Sequence, residues 1–180
     1  MLYIIIPSRE LYNEENNEFV YTKETKICLE HSLVSISKWE SIYNKPFLSE
    51  DRKTAKETID YIRCMTITQN IDPLVYECLT DDNINKINEY IKTPMTATTF
   101  YDRRQQVPIK KEVITSELIY YWMISCGIPM ECQRWHLNRL LTLIRIFNVK
   151  NDTGKMSKRE IMRNNSALNA MRRKRMHSRG

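Results

Sequence analysis

The stretch ITSELIYYWMISCGIPMECQRWHLNRLLTLIRIFNV (114–149) decides how the chain is read. It holds two of the three tryptophans, two of the five cysteines and the densest apolar content of the sequence. Thr115 suits a helix N-cap, and Glu117 suits the positive first turn. Ile119, Trp122 and Met123 follow at helical spacing and make one side apolar. Gly127 and Pro129 stop that helix, because Gly fits a left-handed C′ position and Pro cannot continue the ladder. A second helix is expected from near Glu131. It would put Trp135, Leu137, Leu140, Leu141, Leu143, Ile144 and Phe147 on a wide apolar face, with Arg134, Arg139 and Arg145 on the other side. Together the two read as a buried helical hairpin. Neither is a membrane span, because Arg, Asn, Gln, His or Gly interrupts each apolar run well before about 20 residues.

Outward from the hairpin, the N-terminal third reads as short strands. MLYIII (1–6) is one, ended by Pro7. The acidic, Asn-rich segment Glu10–Glu18 suits turns. Phe19-Val20-Tyr21 reads as a second strand, and Lys26–Leu29 as a third with Ile27 and Leu29 on one face. His31–Trp39 fits either an alternating strand or the start of a helix running to Ile42 or Tyr43, with helix favoured. The middle is helical. Ser49 or Asp51 is expected to cap a helix to about Met65, with Ile59, Ile62 and Met65 inward. Asp72-Pro73 opens another, through Leu74, Val75, Cys78 and Leu79. Thr80-Asp81-Asp82 caps a third, with Ile84, Ile87 and Ile91 at helical spacing, until Thr93-Pro94 stops it. Residues 95–113 suggest an extended excursion or loose hairpin with Arg103–Gln106 at its tip. The expected fold is α+β, mainly α: N-terminal strands, then a helical bundle, over residues 1–150. Residues 151–180 are expected to form a basic tail.

Charge separates these two parts. The net charge is +6. Residues 155–180 hold nine Lys and Arg against Glu160, so they carry +8 and the remainder −2. Ser157 to Glu160 has capping-box spacing, and Ile161, Leu168 and Met171 follow with Ala167 and Ala170 between them. The segment can form a basic amphipathic helix but has too few large apolar residues to bury itself. It is expected to stay disordered or mobile until a partner orders it. The N-terminal LYIIIP is too short for a signal-peptide core, and Arg9 and Glu10 follow without a cleavage site. A cytosolic location is therefore expected, with the five cysteines as reduced thiols.

The residues argue against several chemistries. His31, His136 and His177 lie in three different segments. Cys132 and His136, four apart, would share a helix face, yet a zinc site needs two further ligands. Cys126 sits at the C-terminal end of its helix, where the dipole disfavours a thiolate. Three glycines, none clustered, leave no phosphate cradle. Asp81-Asp82 and Glu50-Asp51 read as helix-start acids. No enzyme and no cofactor are expected. Arg172, Arg173, Lys174, Arg175 and Arg179 would reach about five phosphates, which makes nucleic acid a serious candidate partner. The tail has no aromatic residue for base stacking, however, and a cationic tail equally suits an acidic protein. Trp39, Trp122, Trp135, Tyr120-Tyr121 and Met65, Met95, Met123 and Met130 read first as core residues. A Met-rich surface that repacks against several partners is the minority reading.

Five stretches, taken in order, resemble a known family: EHSLVSISKWE (30–40), ETIDYIRCMTI (57–67), DPLVYECLT (72–80), TSELIYYWMISCGIPMECQRWHLNRLLTLI (115–144) and SKREIMRNNSALNAMRRKR (157–175). The family is the tail assembly chaperones of tailed bacteriophages. The most specific matches are WHLNRLLTLI (135–144) and SALNAMRRKR (166–175). The resemblance implies a non-enzymatic protein that coats the long helical tape measure protein in the host cytoplasm. It would yield as tail tube protein polymerises. Some members are made in two lengths by translational frameshifting. On this reading Ile161, Leu168 and Met171 are expected to anchor a partner, and Arg172, Arg173, Lys174 and Arg175 to steer it. Self-association is a further expectation. The alternatives are a structural neck or tail component of the virion, and a nucleic-acid-binding accessory protein.

Overall fold

The computed structural model describes residues 1–13, 17–99 and 113–152. The chain is α+β and mainly α. Its strands are β1 (Leu2–Ile6), β2 (Arg9–Asn13), β3 (Glu18–Thr22) and β4 (Thr25–Leu29). Its helices are α1 (Leu33–Tyr43), α2 (Ala55–Met65), α3 (Asp81–Lys92), α4 (Ser116–Ser125) and α5 (Leu137–Asp152). Two 3₁₀ segments, Pro73–Cys78 and Met130–Arg134, lie between them. The chain divides into two compact units, Met1–Thr142 and Leu143–Gly180. Of the second unit only 143–152 are described, as the continuation of α5. The expected excursion tip and the expected basic tail lie outside the described residues. No helix among the described residues is long and apolar enough to cross a membrane.

The four strands form one interrupted ribbon. β1 pairs with β4 and β2 with β3, both antiparallel, and in both ladders the numbers of facing residues add to 31. Pro7-Ser8 therefore stands opposite Lys23-Glu24, where pairing lapses; Pro7 has no N–H to give a ladder. Register survives the break, but the inward face changes. In the first half Ile4, Ile6, Ile27 and Leu29 are buried, and facing pairs alternate with exposed Tyr3 and Ile5. Strict alternation would carry Glu10 and Tyr12 inward in the second half. Instead Thr22 is buried, and its hydroxyl accepts from the Arg9 amide at 3.0 Å and donates to the Arg9 carbonyl at 2.9 Å. The break thus lets the outer half turn its other face to the body. Strand β2 replaces the turn expected over Glu10–Glu18, because pairing with Phe19–Thr22 outweighs the low strand preference of Glu and Asn.

The core gathers on α1. Leu33, Ile36 and Trp39 are fully or almost fully buried at helical spacing. The helix starts at Ser32, whose amide donates to Ser35 Oγ at 3.1 Å. It ends at Asn44, left-handed at φ 51°, whose amide reaches the Glu40 carbonyl at 2.8 Å. Asn tolerates that backbone, and Pro46 follows. Helix α2 packs on α1 and starts at Thr54, not at the expected Ser49 or Asp51. The Glu57 amide donates to Thr54 Oγ1 at 3.2 Å and the Thr54 amide to Glu57 Oε2 at 2.8 Å, a reciprocal capping box. Tyr61, Ile62 and Met65 are its buried apolar residues, whereas Ile59 is only half-buried. Asp72-Pro73 opens a 3₁₀ turn rather than an α-helix, since Thr80 is already needed to cap α3.

The expected helical hairpin is corrected in two ways. Helix α4 is capped by Thr115 and buries Ile119 and Met123, but against α1, and Trp122 is only half-buried. The second helix begins at Leu137, not near Glu131. The Trp135 amide bonds the Cys132 carbonyl at 3.0 Å and closes a 3₁₀ turn. His136 is then extended, bridging Ser32, and the Leu137 amide donates to the His31 carbonyl at 2.9 Å. Cys132 and His136 consequently do not share a helix face.

Trp39 is the largest fully buried side chain. Its ring lies 4.8 Å from that of Tyr43 and 5.2 Å from that of Phe47, and its indole N–H donates to the Glu57 carbonyl at 2.9 Å. Trp39→Ala is expected to cost about 3–5 kcal/mol in urea unfolding. A loss below about 1 kcal/mol would show that this core is not where the stability lies.

Candidate functional site

The seven residues expected to bind a partner, Ile161, Leu168, Met171, Arg172, Arg173, Lys174 and Arg175, lie outside the described residues. The structure does describe the whole of the specific stretch 135–144, and gives its polar residues a local task. Helix α3 ends at Lys92 with carbonyls that no further turn can satisfy. His136 Nε2 bonds the Tyr90 carbonyl at 3.1 Å. Asn138 Nδ2 donates to the Ile91 carbonyl at 3.0 Å and the Thr93 carbonyl at 2.9 Å. Two side chains from the start of α5 therefore close the end of α3. Arg139 lies over the Trp135 ring at 4.1 Å, so Trp135 is half-buried beneath a cation rather than in the core.

His31 and His136, far apart in sequence, meet with ring centroids 5.0 Å apart. His31 Nδ1 bonds the Tyr61 hydroxyl at 2.5 Å, and Tyr61 lies 3.3 Å from Ser35 Oγ. Ser35 already donates to the Ser32 carbonyl at 2.8 Å, so towards Tyr61 it can only accept. Burial, and then the neighbouring imidazole, push His31 down to about 4. Burial lowers His136 as well. His136 Nδ1 is buried with no hydrogen-bond partner among the described residues. The cluster reads as a polar joint between the start of α1, the middle of α2 and the start of α5.

A second polar cluster lies at the other end of α1. Glu40 is buried, and its two carboxylate oxygens accept the amides of Phe47 at 2.7 Å and Ser116 at 2.8 Å. Glu57 is held down at about 2, first by the Lys45 ammonium at 2.9 Å and then by the Thr54 amide. A cleft of about 310 Å³ opens beside Glu40 and is lined also by Lys45, Pro46, Thr115 and Glu117. Both Glu40 oxygens are occupied by backbone, so this carboxylate is a tie between segments rather than a free base. Cys28, Cys78 and Cys132 are buried, Cys64 and Cys126 half-buried, and none is disulfide-bonded. Among the described residues no three His, Cys, Asp or Glu side chains converge to hold a metal ion.

Among the described residues several apolar side chains are exposed, Tyr3 and Ile5 on β1 among them, and two further groups bear on binding. On α4, Tyr121 and Ile124 are 64% and 69% exposed, one helical turn apart. On the ribbon, Tyr12, Phe19 and Tyr21 share a face with Glu10. Phe19 and Tyr21 are legible in the sequence as strand residues. Their outward direction is not, because it depends on the pairing with β2. No protein-family model matches the chain, and neither a curated protein nor a solved structure matches it.

The buried imidazole gives a pH prediction. His31 takes up a proton at about pH 4 when folded and near its ordinary 6.5 when unfolded. The unfolded chain therefore binds more protons between those values, and stability falls as pH drops from 6.5 to 4. The loss attributable to this group is on the order of 3 kcal/mol, in full only below pH 4. It precedes the loss from Glu57, whose depressed carboxyl contributes stability above its ordinary 4.5 that disappears as pH falls toward 2. Urea unfolding at a series of pH values should show the first slope, and His31→Gln should flatten it. An unchanged slope in that variant would assign the dependence elsewhere.

Proposed function

We propose that the chain is a non-enzymatic tail assembly chaperone of a tailed bacteriophage. It binds the tape measure protein in the host cytoplasm and gives way as tail tube protein assembles. One observation carries this reading: the ordered resemblance across five stretches, most specific at 135–144 and 166–175. Two further features support it. Tyr121 and Ile124 place apolar surface on the outside of α4, where a helical polypeptide can lay its own apolar face. Residues 155–180 carry +8 and offer a steering charge for an acidic partner. Ile161, Leu168 and Met171 are the anchors in this proposal, and Arg172 to Arg175 supply the attraction. The chemistry asked of the protein is reversible covering of apolar helix, for which no cofactor is needed.

The test is a pull-down of tagged protein from infected cells, nuclease-treated, at low and at high salt. The tape measure protein should be recovered after nuclease, with weaker recovery at high salt. Recovery of neck, capsid or tube proteins without the tape measure would make the chain a virion component. Nucleic acid alone, lost with salt, would make it a nucleic-acid-binding protein.

A further inference from the structure

The outer half of the ribbon carries an aromatic face that the body does not use. Glu10 stands opposite Tyr21 and Tyr12 opposite Phe19, and residues directly opposed in an antiparallel pair share a face. Tyr12, Phe19 and Tyr21 are 53%, 69% and 67% exposed, and the Tyr12 and Phe19 rings lie 5.1 Å apart. Beneath them, on the inward face, Leu11 and Val20 are half-buried and Thr22 meets Cys78 Sγ at 3.1 Å. Contact with the body therefore uses the other side of the strands and leaves the aromatic side bare. In sequence, residues 9–22 hold four glutamates against Arg9 alone, a charge of −3. Among the described residues the charged residue on the aromatic face is Glu10, and no Lys or Arg shares that face.

Such a face selects a basic, partly apolar peptide. Carboxylates pair with guanidinium groups, and aromatic rings attract cations over their faces. Phosphate would be repelled, which argues against nucleic acid at this place. The sequence contains a segment of the matching chemistry: residues 155–180 carry nine Lys and Arg against Glu160, with Ile161, Leu168 and Met171 among them. We propose that the Glu10–Tyr12–Phe19–Tyr21 face is the docking site for residues 155–180 of a second copy of the chain. Receptor face and docking segment lie at different places on one sequence, so the contact is heterologous. It joins copies head to tail and leaves a free face and a free segment at the ends of every open assembly. The proposal rests on the ribbon and on charge, independently of the tail-assembly reading.

The experiment follows the mass of the full-length, nuclease-treated protein by sedimentation at increasing concentration, in low and high salt, with no phage component present. Glu10→Lys is the ribbon variant, chosen because the side chain is exposed and outside the core. A second variant reverses Arg172, Arg173, Lys174 and Arg175 to Glu. Association should grow with concentration, weaken in high salt and fall about tenfold or more in each variant. Mixing the two variants should restore association, because the intact segment of one meets the intact face of the other, and combining both changes in one chain should restore part of it, because the reversed charges then attract again. Phe19→Ser, assayed alongside circular dichroism, should weaken association without loss of secondary structure. A constant monomer mass would overturn the proposal, with or without contact inside one chain. So would association that ignores Glu10→Lys and Phe19→Ser, or that disappears on nuclease treatment.

Discussion

Glu40 places a carboxylate inside the body, where it accepts the amides of Phe47 and Ser116. The first donor is seven residues away and the second seventy-six. A buried carboxylate is costly unless its oxygens are satisfied, and here two backbone donors do that. The arrangement also meets a need of the donors. Ser116 is the first residue of α4, so its amide has no partner within the helix. An anion at that position also suits the positive end of the helix. One side chain therefore fixes where α4 starts on α1, and the fully buried Ile119 and Met123 follow from that placement.

The same arrangement recurs at the other end of the first unit. His136 and Asn138 close the end of α3, and the Leu137 amide returns to the His31 carbonyl. Asn83, buried near the start of α3, donates to the Ile5 carbonyl on β1 at 3.2 Å. Apolar burial provides the driving force for collapse, but it is non-directional. These polar ties are directional and specify which helix end meets which strand or turn. The outer ribbon meets the body through Thr22, whose hydroxyl lies 3.1 Å from Cys78 Sγ, and its aromatic face is exposed.

Much of the local structure was legible. Thr115, Thr80 and Asp72-Pro73 announce helix starts through chemistry confined to a few residues, and each occurs where expected. The alternation of Ile4 and Ile6, and of Ile27 and Leu29, marks strands whose one face is buried. The misses have a common cause in long-range contacts. Strand β2 looks like a turn until it pairs with β3. The start of the second helix moves to Leu137 because Ser32 and His31 hold His136 and the Leu137 amide in an extended bridge. The approach of His31 to His136, and the use of Asn138 as a cap for α3, leave no mark at short range. Of the candidate site, Phe19 and Tyr21 were readable as strand residues. Their exposure was not, since the break at Pro7-Ser8 reverses the inward face without altering register. The basic residues of 155–180 are readable from composition alone and lie beyond the described residues.

The measurement that bears most directly on this account is native-state amide hydrogen exchange of Ser116 and Phe47, in the unaltered protein and in Glu40→Gln. A glutamine offers one acceptor oxygen where the carboxylate offered two, so one amide must lose its partner. The account requires both amides to be strongly protected at first. In the variant, protection at Ser116 and along the start of α4 should fall, while β1 and β4 keep theirs. A Ser116 amide that exchanges freely in the unaltered protein would contradict it. So would unchanged protection in Glu40→Gln, since α4 would then be held on α1 by packing alone.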